Sequence, residues 1–243
     1  MLHNIGCARL ELGDVQGALA ALREGLAIRE EIGDLSKVIE SYAGLALAQL
    51  AAEEDAAAGE SVDKAIALLE EGTYPDALRQ EVYCAAWQIA DLIGDNDRAR
   101  THLGNAELAM DALCATLPPE SVTTFLANVP LNRHVAGAIK EYAHTVEIEC
   151  SRVGAARGRA LRPDERCIVR WTICTPGDEQ IADATVRRRR VLTRLLGEAG
   201  EQGASPTDDQ LAEALGVSRR TILRDIAALE TEGIPVATRS RSA

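Results

Sequence analysis

Apolar residues recur at intervals of three and four along the first part of the chain. Clear examples run from Ala18 to Ile28 and from Ile39 to Leu50, and this spacing places a wide apolar stripe on one face of an α-helix. Between the stripes, an apolar residue is followed by Gly and Asp. Gly supplies a left-handed cap that ends one helix, and Asp accepts the free amide hydrogens that begin the next. The pattern predicts consecutive amphipathic helices with turns at Leu12-Gly13-Asp14, Ile32-Gly33-Asp34 and Ile93-Gly94-Asp95.

The predicted turns recur at a long and uneven interval. Gly13, Ala51 and Gly94 take equivalent positions, 38 and 43 residues apart, which indicates a repeat built from helix pairs. The first unit resembles the tetratricopeptide (TPR) family, whose repeat is shorter, at about 34 residues. The residues that carry the resemblance are Asn4-Ile5-Gly6, Leu12-Gly13-Asp14, Ala18-Leu19 and Ala27. The resemblance implies a TPR-like α-solenoid within residues 1–150, whose concave face binds a peptide or a protein domain, or which serves only as a spacer.

The periodicity changes after Leu117-Pro118-Pro119. A short helix and then a further helix from Arg133 to about Ile148 are predicted. Residues 151–183 are interpreted as a linker, because residues 151–165 contain Gly154, Gly158 and four arginines and precede a single run rich in β-branched and aromatic residues. That run, 167–174, predicts a β-strand that ends before Pro176-Gly177.

Two capped helices follow within residues 184–243. Thr207 with Gln210 three residues later forms a capping box, Gly216 ends the first helix, and Ser218 caps the second. A short helix, a tight turn containing Gly and a longer helix are the spacing of a helix-turn-helix.

The second of these helices has two different faces. Ile222, Ile226 and Leu229 form a stripe for the core, whereas Arg220 and Arg224 fall on the opposite side. Because Ala227 and Ala228 are short, a backbone can approach the floor of a DNA major groove while the two guanidinium groups reach base edges or phosphates.

This segment resembles the winged helix-turn-helix domains of the DeoR type and the related HTH-11 group of bacterial regulators. The matching residues are Leu211-Ala212, then Leu215 to Ile222, then Arg224-Asp225-Ile226 and Leu229 to Gly233. The resemblance implies a supporting helix over 186–200 and a recognition helix over 218–232. The residues it implies to face DNA are Ser218, Arg219, Arg220, Thr221 and Arg224. The run Arg187–Arg190, with Arg188 and Arg189 at its centre, is interpreted either as phosphate contacts or as a solvated helix start.

The sequence departs from the family where a two-stranded wing is expected. Thr238-Arg-Ser-Arg can form at most one wing strand, with the strand around Trp171 as its partner, or the wing is missing. We therefore expect weak binding by a monomer, with a steep loss in salt, and specific recognition by two copies, which makes a homodimer an expected assembly.

Composition supports a mainly α protein, since aromatic residues make up only 3%. The net charge of −12 is unevenly distributed: residues 1–150 carry 10 Lys and Arg against 25 Asp and Glu, and every cation after Lys140 is Arg. The six cysteines are scattered without metal-ligand spacing, and neither a signal peptide nor a membrane span is predicted, so we expect reduced thiols in a cytoplasmic protein.

Motifs for catalysis are not found in the sequence. It contains no Gly-Lys dipeptide for a phosphate-binding loop, no G-x-G-x-x-G, no H-E-x-x-H and no G-x-S-x-G. We therefore expect neither catalytic residues, nor a cofactor, nor a metal. The leading hypothesis is a transcription regulator that binds double-stranded DNA and a protein partner. The alternatives are a protein scaffold whose helix-turn-helix never meets DNA, and the C-terminal part of a larger signalling ATPase or kinase regulator.

Overall fold

The computed structural model describes residues 1–156, 159–234, 236, 238 and 239. It is mainly α, as the composition and periodicity predicted, with a small three-stranded sheet in the described residues. The chain divides into two compact units, Met1–Tyr142 and Ala143–Ala243. Within the described residues, no helix is both long and apolar enough to cross a membrane.

The N-terminal unit begins with six helices that pack in consecutive hairpins. The helices are α1 (Leu2–Glu11), α2 (Val15–Ile32), α3 (Leu35–Ala51), α4 (Asp55–Glu71), α5 (Asp76–Leu92) and α6 (Asn96–Ala115). They pack in the pairs α1 with α2, α3 with α4, and α5 with α6. The first helices of successive pairs are also in contact, α1 with α3 and α3 with α5.

The predicted Gly-Asp signals lie at these turns. Gly33 ends α2 with a φ of 76°, in the left-handed region that favours glycine. Asp34 then caps α3 by accepting the Lys37 amide hydrogen at 3.2 Å. Asp14 and Asp95 cap α2 and α6 in the same way.

Small residues set the close approach of the first two helices. A Cβ at Gly6 would lie 2.5 Å from Leu22 Cγ, so a larger residue at this position of α1 would force the Leu22 side chain of α2 to shift. Ala18 of α2 is completely buried. Further along the unit, Ile39, Leu69 and Leu103 form part of one continuous core.

Two more helices, α7 (Pro119–Asn128) and α8 (Pro130–Tyr142), complete this unit. α8 packs on α5 and α6, where Gln80 Nε2 donates a buried 2.8 Å hydrogen bond to Asn132 Oδ1. The helix predicted to reach about Ile148 was wrong at its end: it stops at Tyr142, and residues from His144 onward form a strand. The physical reason is the alternation of apolar and polar residues after Thr145, together with pairing to a strand further along the chain.

The C-terminal unit contains the antiparallel sheet, in the order β2-β1-β3. β1 (His144–Arg152) pairs with β2 (Arg166–Cys174), and Val146 lies opposite Trp171. β3 (Ala204–Ser205) pairs with the end of β1. The strand predicted at 167–174 is thus present as β2, but it is paired within the C-terminal unit and not isolated in a linker over 151–183. β1 belongs to the same sheet, and the boundary between the two compact units falls after Tyr142 in the chain, not after residue 150. Gly158, which supported the linker interpretation, lies outside the described residues.

Four helices accompany the sheet, and one core joins them to it. They are α9 (Pro176–Gln180), α10 (Ala184–Glu201), α11 (Asp208–Ala214) and α12 (Arg219–Thr231). Trp171 of β2, Leu195 of α10, Leu211 of α11 and Ile226 of α12 are all completely buried in this core. The core therefore fixes all three longer helices against one another.

Side chains of α10, and of Gln202 directly after it, cover the outer edge of β2. Glu198 accepts the Thr172 amide hydrogen at 2.8 Å, Gln202 accepts the Arg170 amide hydrogen at 2.9 Å, and Arg194 donates to the Thr172 carbonyl at 3.0 Å. An edge strand exposes backbone groups that can pair with other chains. Here α10 satisfies these groups and is itself held in register with the sheet.

Candidate nucleic-acid interface

The turn between α11 and α12 is determined by local sequence signals. Thr207 N donates to Gln210 Oε1 at 2.8 Å, and Gln210 N donates to Thr207 Oγ1 at 3.2 Å, so the capping box at the start of α11 is complete. Gly216 follows α11 with a φ of 62°. Ser218 Oγ accepts the Thr221 amide hydrogen at 3.2 Å and caps α12. The predicted helix-turn-helix is therefore confirmed in its caps and in its turn.

The two faces of α12 differ as the sequence predicted. Ile222 and Ile226 are fully buried and Leu229 nearly so. Arg220, Arg224, Ala227 and Thr231 are exposed, and at 100° per residue these four positions fall within about 60° of one another. The helix therefore presents a narrow outward stripe, in which two arginines are followed by two short side chains.

Arg220 and Arg224 are not engaged by the rest of the described chain. Neither makes a hydrogen bond or an ion pair with another described residue. Their positive charges are therefore available to an external anion or to hydrogen-bond acceptors.

The other residues implied for the recognition helix lie at its first turn and have partners. Arg219 forms ion pairs with Asp208 at 3.2 Å and with Asp209 at 3.6 Å, while its side chain stays 53% exposed. The hydroxyls of Ser218 and Thr221 are 2.9 Å apart. These groups share one end of α12 with Arg220.

Arg188 and Arg189 lie on α10 and are engaged by a residue of the recognition helix. Arg188 donates from Nε to Asp225 Oδ2 at 2.5 Å and from Nη2 to Oδ1 at 3.2 Å. Arg189 Nε donates to Asp225 Oδ1 at 3.3 Å, and its Nη1 lies 3.5 Å from Glu232 Oε1. The structure therefore places both arginines on the inner side of α12, apart from the outward stripe of Arg220 and Arg224.

Asp225 is the important residue that sequence reasoning did not identify. Its side chain is only 1% exposed, because it lies on the same face as Ile222 and Leu229. The signal was an acidic residue at a core position of the helix. A carboxylate at such a position needs a cationic or hydrogen-bonding partner, since burying an unpaired charge is costly.

A second buried carboxylate anchors the other side of α10. Asp178 of α9 pairs with Arg190 and Arg194 and accepts the Thr175 amide hydrogen at 2.8 Å. Burial alone would raise the pKa of Asp178, but the hydrogen bond from Arg194 and the positive charges of Arg194 and Arg190 outweigh it and lower that pKa below its ordinary value. α10 is thus held by ion pairs on both sides, and it in turn holds α12.

The described part of the C-terminal segment contacts a region other than the strand around Trp171. Trp171 pairs with Val146 of β1, whereas Arg239 N donates to the Pro206 carbonyl at 2.8 Å, next to β3. For Arg239 the structure therefore replaces the suggested pairing with the Trp171 strand by a contact next to β3, while β1 pairs with one edge of β2 and side chains of α10 cover the other. Of the proposed wing segment, Ser240 and Arg241 lie outside the described residues.

The described ranges contain no group of three or more His, Cys, Asp and Glu residues placed to hold a metal ion.

Comparison with known protein families matches residues 187–242 to the HTH_11 family, an HTH domain. This match begins in α10 and includes α11 and α12, so the C-terminal helices are similar to the helix-turn-helix domains of this family. No curated protein matches the chain.

Proposed function

We propose that this protein is a DNA-binding transcription regulator in which α12 enters the major groove. One observation carries the proposal: Arg220 and Arg224 stand exposed, without partners among the described residues, on one stripe of the second helix of a helix-turn-helix. Arginine is the side chain that most often reads guanine, through two hydrogen bonds to O6 and N7. Ala227 on the same stripe permits close approach to the base edges.

The first turn of α12 contacts the phosphate backbone in this proposal. Ser218, Arg219 and Thr221 lie at the N-terminal end of the helix, where the amide groups and the helix dipole also attract anions. Arg219 exchanges its contacts with Asp208 and Asp209 for a phosphate oxygen.

Arg188 and Arg189 act mainly through Asp225 in this proposal. Their hydrogen bonds fix the rotation of α12 about its own axis, and that rotation decides which side chains face the groove. A direct phosphate contact by either arginine is a secondary role, served by the guanidinium N–H groups that Asp225 does not use.

The N-terminal unit is proposed to be a TPR-like protein-interaction domain. Support comes from the three consecutive helix hairpins and from the close approach of the first two helices at Gly6. This unit carries 10 Lys and Arg against 23 Asp and Glu over residues 1–142. Its charge disfavours DNA as its ligand and favours a protein partner.

Binding of DNA by one copy is expected to be weak. Residues 143–243 carry 16 Lys and Arg against 15 Asp and Glu, and several of the arginines are engaged by carboxylates. Affinity therefore depends on few phosphate contacts, and a homodimer on two half-sites supplies the rest. We place the protein in the cytoplasm, with the DNA it regulates.

The near-neutral charge of the C-terminal unit also favours one alternative, a scaffold whose helix-turn-helix binds only protein. The two functions are separated by fluorescence anisotropy with a random-sequence duplex at low salt. Replacing Arg220 and Arg224 together by Ala should weaken binding to this duplex and make it less dependent on salt concentration, because two cationic contacts with the DNA are lost.

The matched control for charge is Arg152→Ala with Arg162→Ala, because both residues are exposed and lie outside the helix-turn-helix. If the wild-type protein fails to bind any duplex, or if both double variants bind equally, α12 is not a DNA-reading helix and the scaffold function is favoured.

A further inference from the structure

A groove of about 420 Å³ crosses the first helices of the hairpins in the N-terminal unit. α1, α3 and α5 each contribute side chains one helical turn apart, and Leu131 of α8 also lines the groove. None of these residues belongs to the proposed DNA interface.

The surface of the groove combines small and aliphatic side chains. Ala43 and Ala85 leave open space, while Leu10 and Leu47 add apolar surface. Burial raises the pKa of the Cys84 thiol, which also lines the groove, to about 11, so this thiol is neutral at pH 7 and adds to the apolar surface. Such a lining favours an aliphatic side chain over a polar one.

The charged side chains that line the groove are carboxylates. Glu40 is already engaged by Lys37 at 3.0 Å and Arg29 at 3.3 Å. Glu11 and Glu81, by contrast, make no hydrogen bond or ion pair with another described residue. Burial is the larger cause, and the negative charge of Glu40 the second, by which the pKa of Glu81 is raised. A positive charge brought into the groove would stabilise the ionised form of Glu81 and so oppose this rise in its pKa.

We propose that this groove binds a cationic peptide segment of a partner protein, in which an aliphatic residue stands next to Lys or Arg. The inference rests on the proposed interaction role of the N-terminal unit and specifies its partner. The aliphatic side chain enters between Leu10 and Leu47, and the cation pairs with Glu81 or Glu11. This unit carries 23 acidic residues against 10 basic ones, and the resulting negative charge attracts such a segment and repels an acidic one.

The test uses the full chain and three pools of fluorescent heptapeptides with degenerate flanking positions. The first pool fixes a Leu-Arg pair, the second Leu-Glu and the third Ser-Arg. We expect saturable binding, measured by fluorescence anisotropy, only for the Leu-Arg pool. Glu81→Lys should weaken this binding by about tenfold, whereas Glu71→Lys, an exposed position of α4 outside the groove, should leave it unchanged.

Three results would overturn the proposal. They are a lack of saturable binding by the Leu-Arg pool, equal binding of the Leu-Glu or Ser-Arg pools, and equal losses in the Glu81→Lys and Glu71→Lys variants, which would indicate diffuse attraction only. Peptide binding by the Arg220→Ala/Arg224→Ala protein should match the wild type. Failure of the groove and failure of the DNA interface are therefore distinguishable.

Discussion

Arg188 of α10 and Asp225 of α12 form a two-point hydrogen bond, with Nε to Oδ2 at 2.5 Å and Nη2 to Oδ1 at 3.2 Å. The Asp225 side chain is almost completely buried, while the Arg188 side chain is 21% exposed. Such a planar, paired contact fixes orientation as well as distance. The position of the outward stripe on α12 therefore depends on a contact on the opposite side of the helix.

Removing the buried carboxylate should destabilise the C-terminal unit. Asp225→Asn is expected to lower the free energy of unfolding by about 2 kcal/mol, less than for a fully buried pair because both arginines keep some access to water. In a Trp87→Phe background, Trp171 is the one remaining tryptophan, and its fluorescence in urea reports this unit alone. The control is Glu213→Gln, an exposed position of α11. A midpoint equal to that of the control would show that the pair contributes nothing to stability.

Stability should also depend on the protonation of Asp178. The folded-state pKa of this carboxyl lies below its ordinary value of 3.8, so the folded state favours the ionised form. The resulting stabilisation is complete above the unfolded-state pKa and is lost as the pH falls through the lower, folded-state pKa. Urea unfolding in the Trp87→Phe background should therefore give a difference between Asp178 and Asp178→Asn proteins that is large at pH 7 and shrinks below about pH 4. A difference that stays constant down to pH 2 would contradict this assignment.

Local signals made the turn between α11 and α12 and the recognition helix predictable from sequence. Gly216, Ser218 and the capping box of Thr207 act within a few residues of themselves, so their effects do not depend on the rest of the fold. The stripe of Ile222 and Ile226 likewise follows from helical periodicity, and it places Arg220 and Arg224 outward without further information.

Long-range pairing explains what the sequence did not reveal. The first part of β1, up to Ile148, was predicted as the end of a helix because its strand character depends on pairing with Val169 and Trp171, which lie more than 20 residues later. Arg188 and Asp225 are 37 residues apart in the chain. The run Arg187–Arg190 therefore gave no local sign that two of its arginines pair with a carboxylate inside the domain instead of with phosphate. The acidic residue on the core face of α12 was the available signal.

The two roles of Ser218 can be separated by substitution. Ser218→Ala removes the cap of α12 and should cost about 1 kcal/mol of stability. Ser218→Asp keeps a capping oxygen and should retain nearly wild-type stability, but it adds a negative charge where phosphate is proposed to bind. Urea unfolding and duplex titration of both variants test this pair of effects. If the Asp variant binds DNA as tightly as the wild type, the first turn of α12 does not approach the backbone.

Ala227 provides the most direct test of which surface meets DNA. This residue is exposed on the same stripe as Arg220 and Arg224, and its short side chain has no role in the core. Ala227→Glu should leave the urea midpoint unchanged, because glutamate is a good helix former at an exposed position. It should lower duplex affinity by more than about tenfold, since the longer anionic side chain prevents close approach and repels phosphates. The control Ala182→Glu adds the same charge at an exposed position before α10. Equal affinities of the two variants would mean that this stripe of α12 does not face the groove, whatever the stability of the domain.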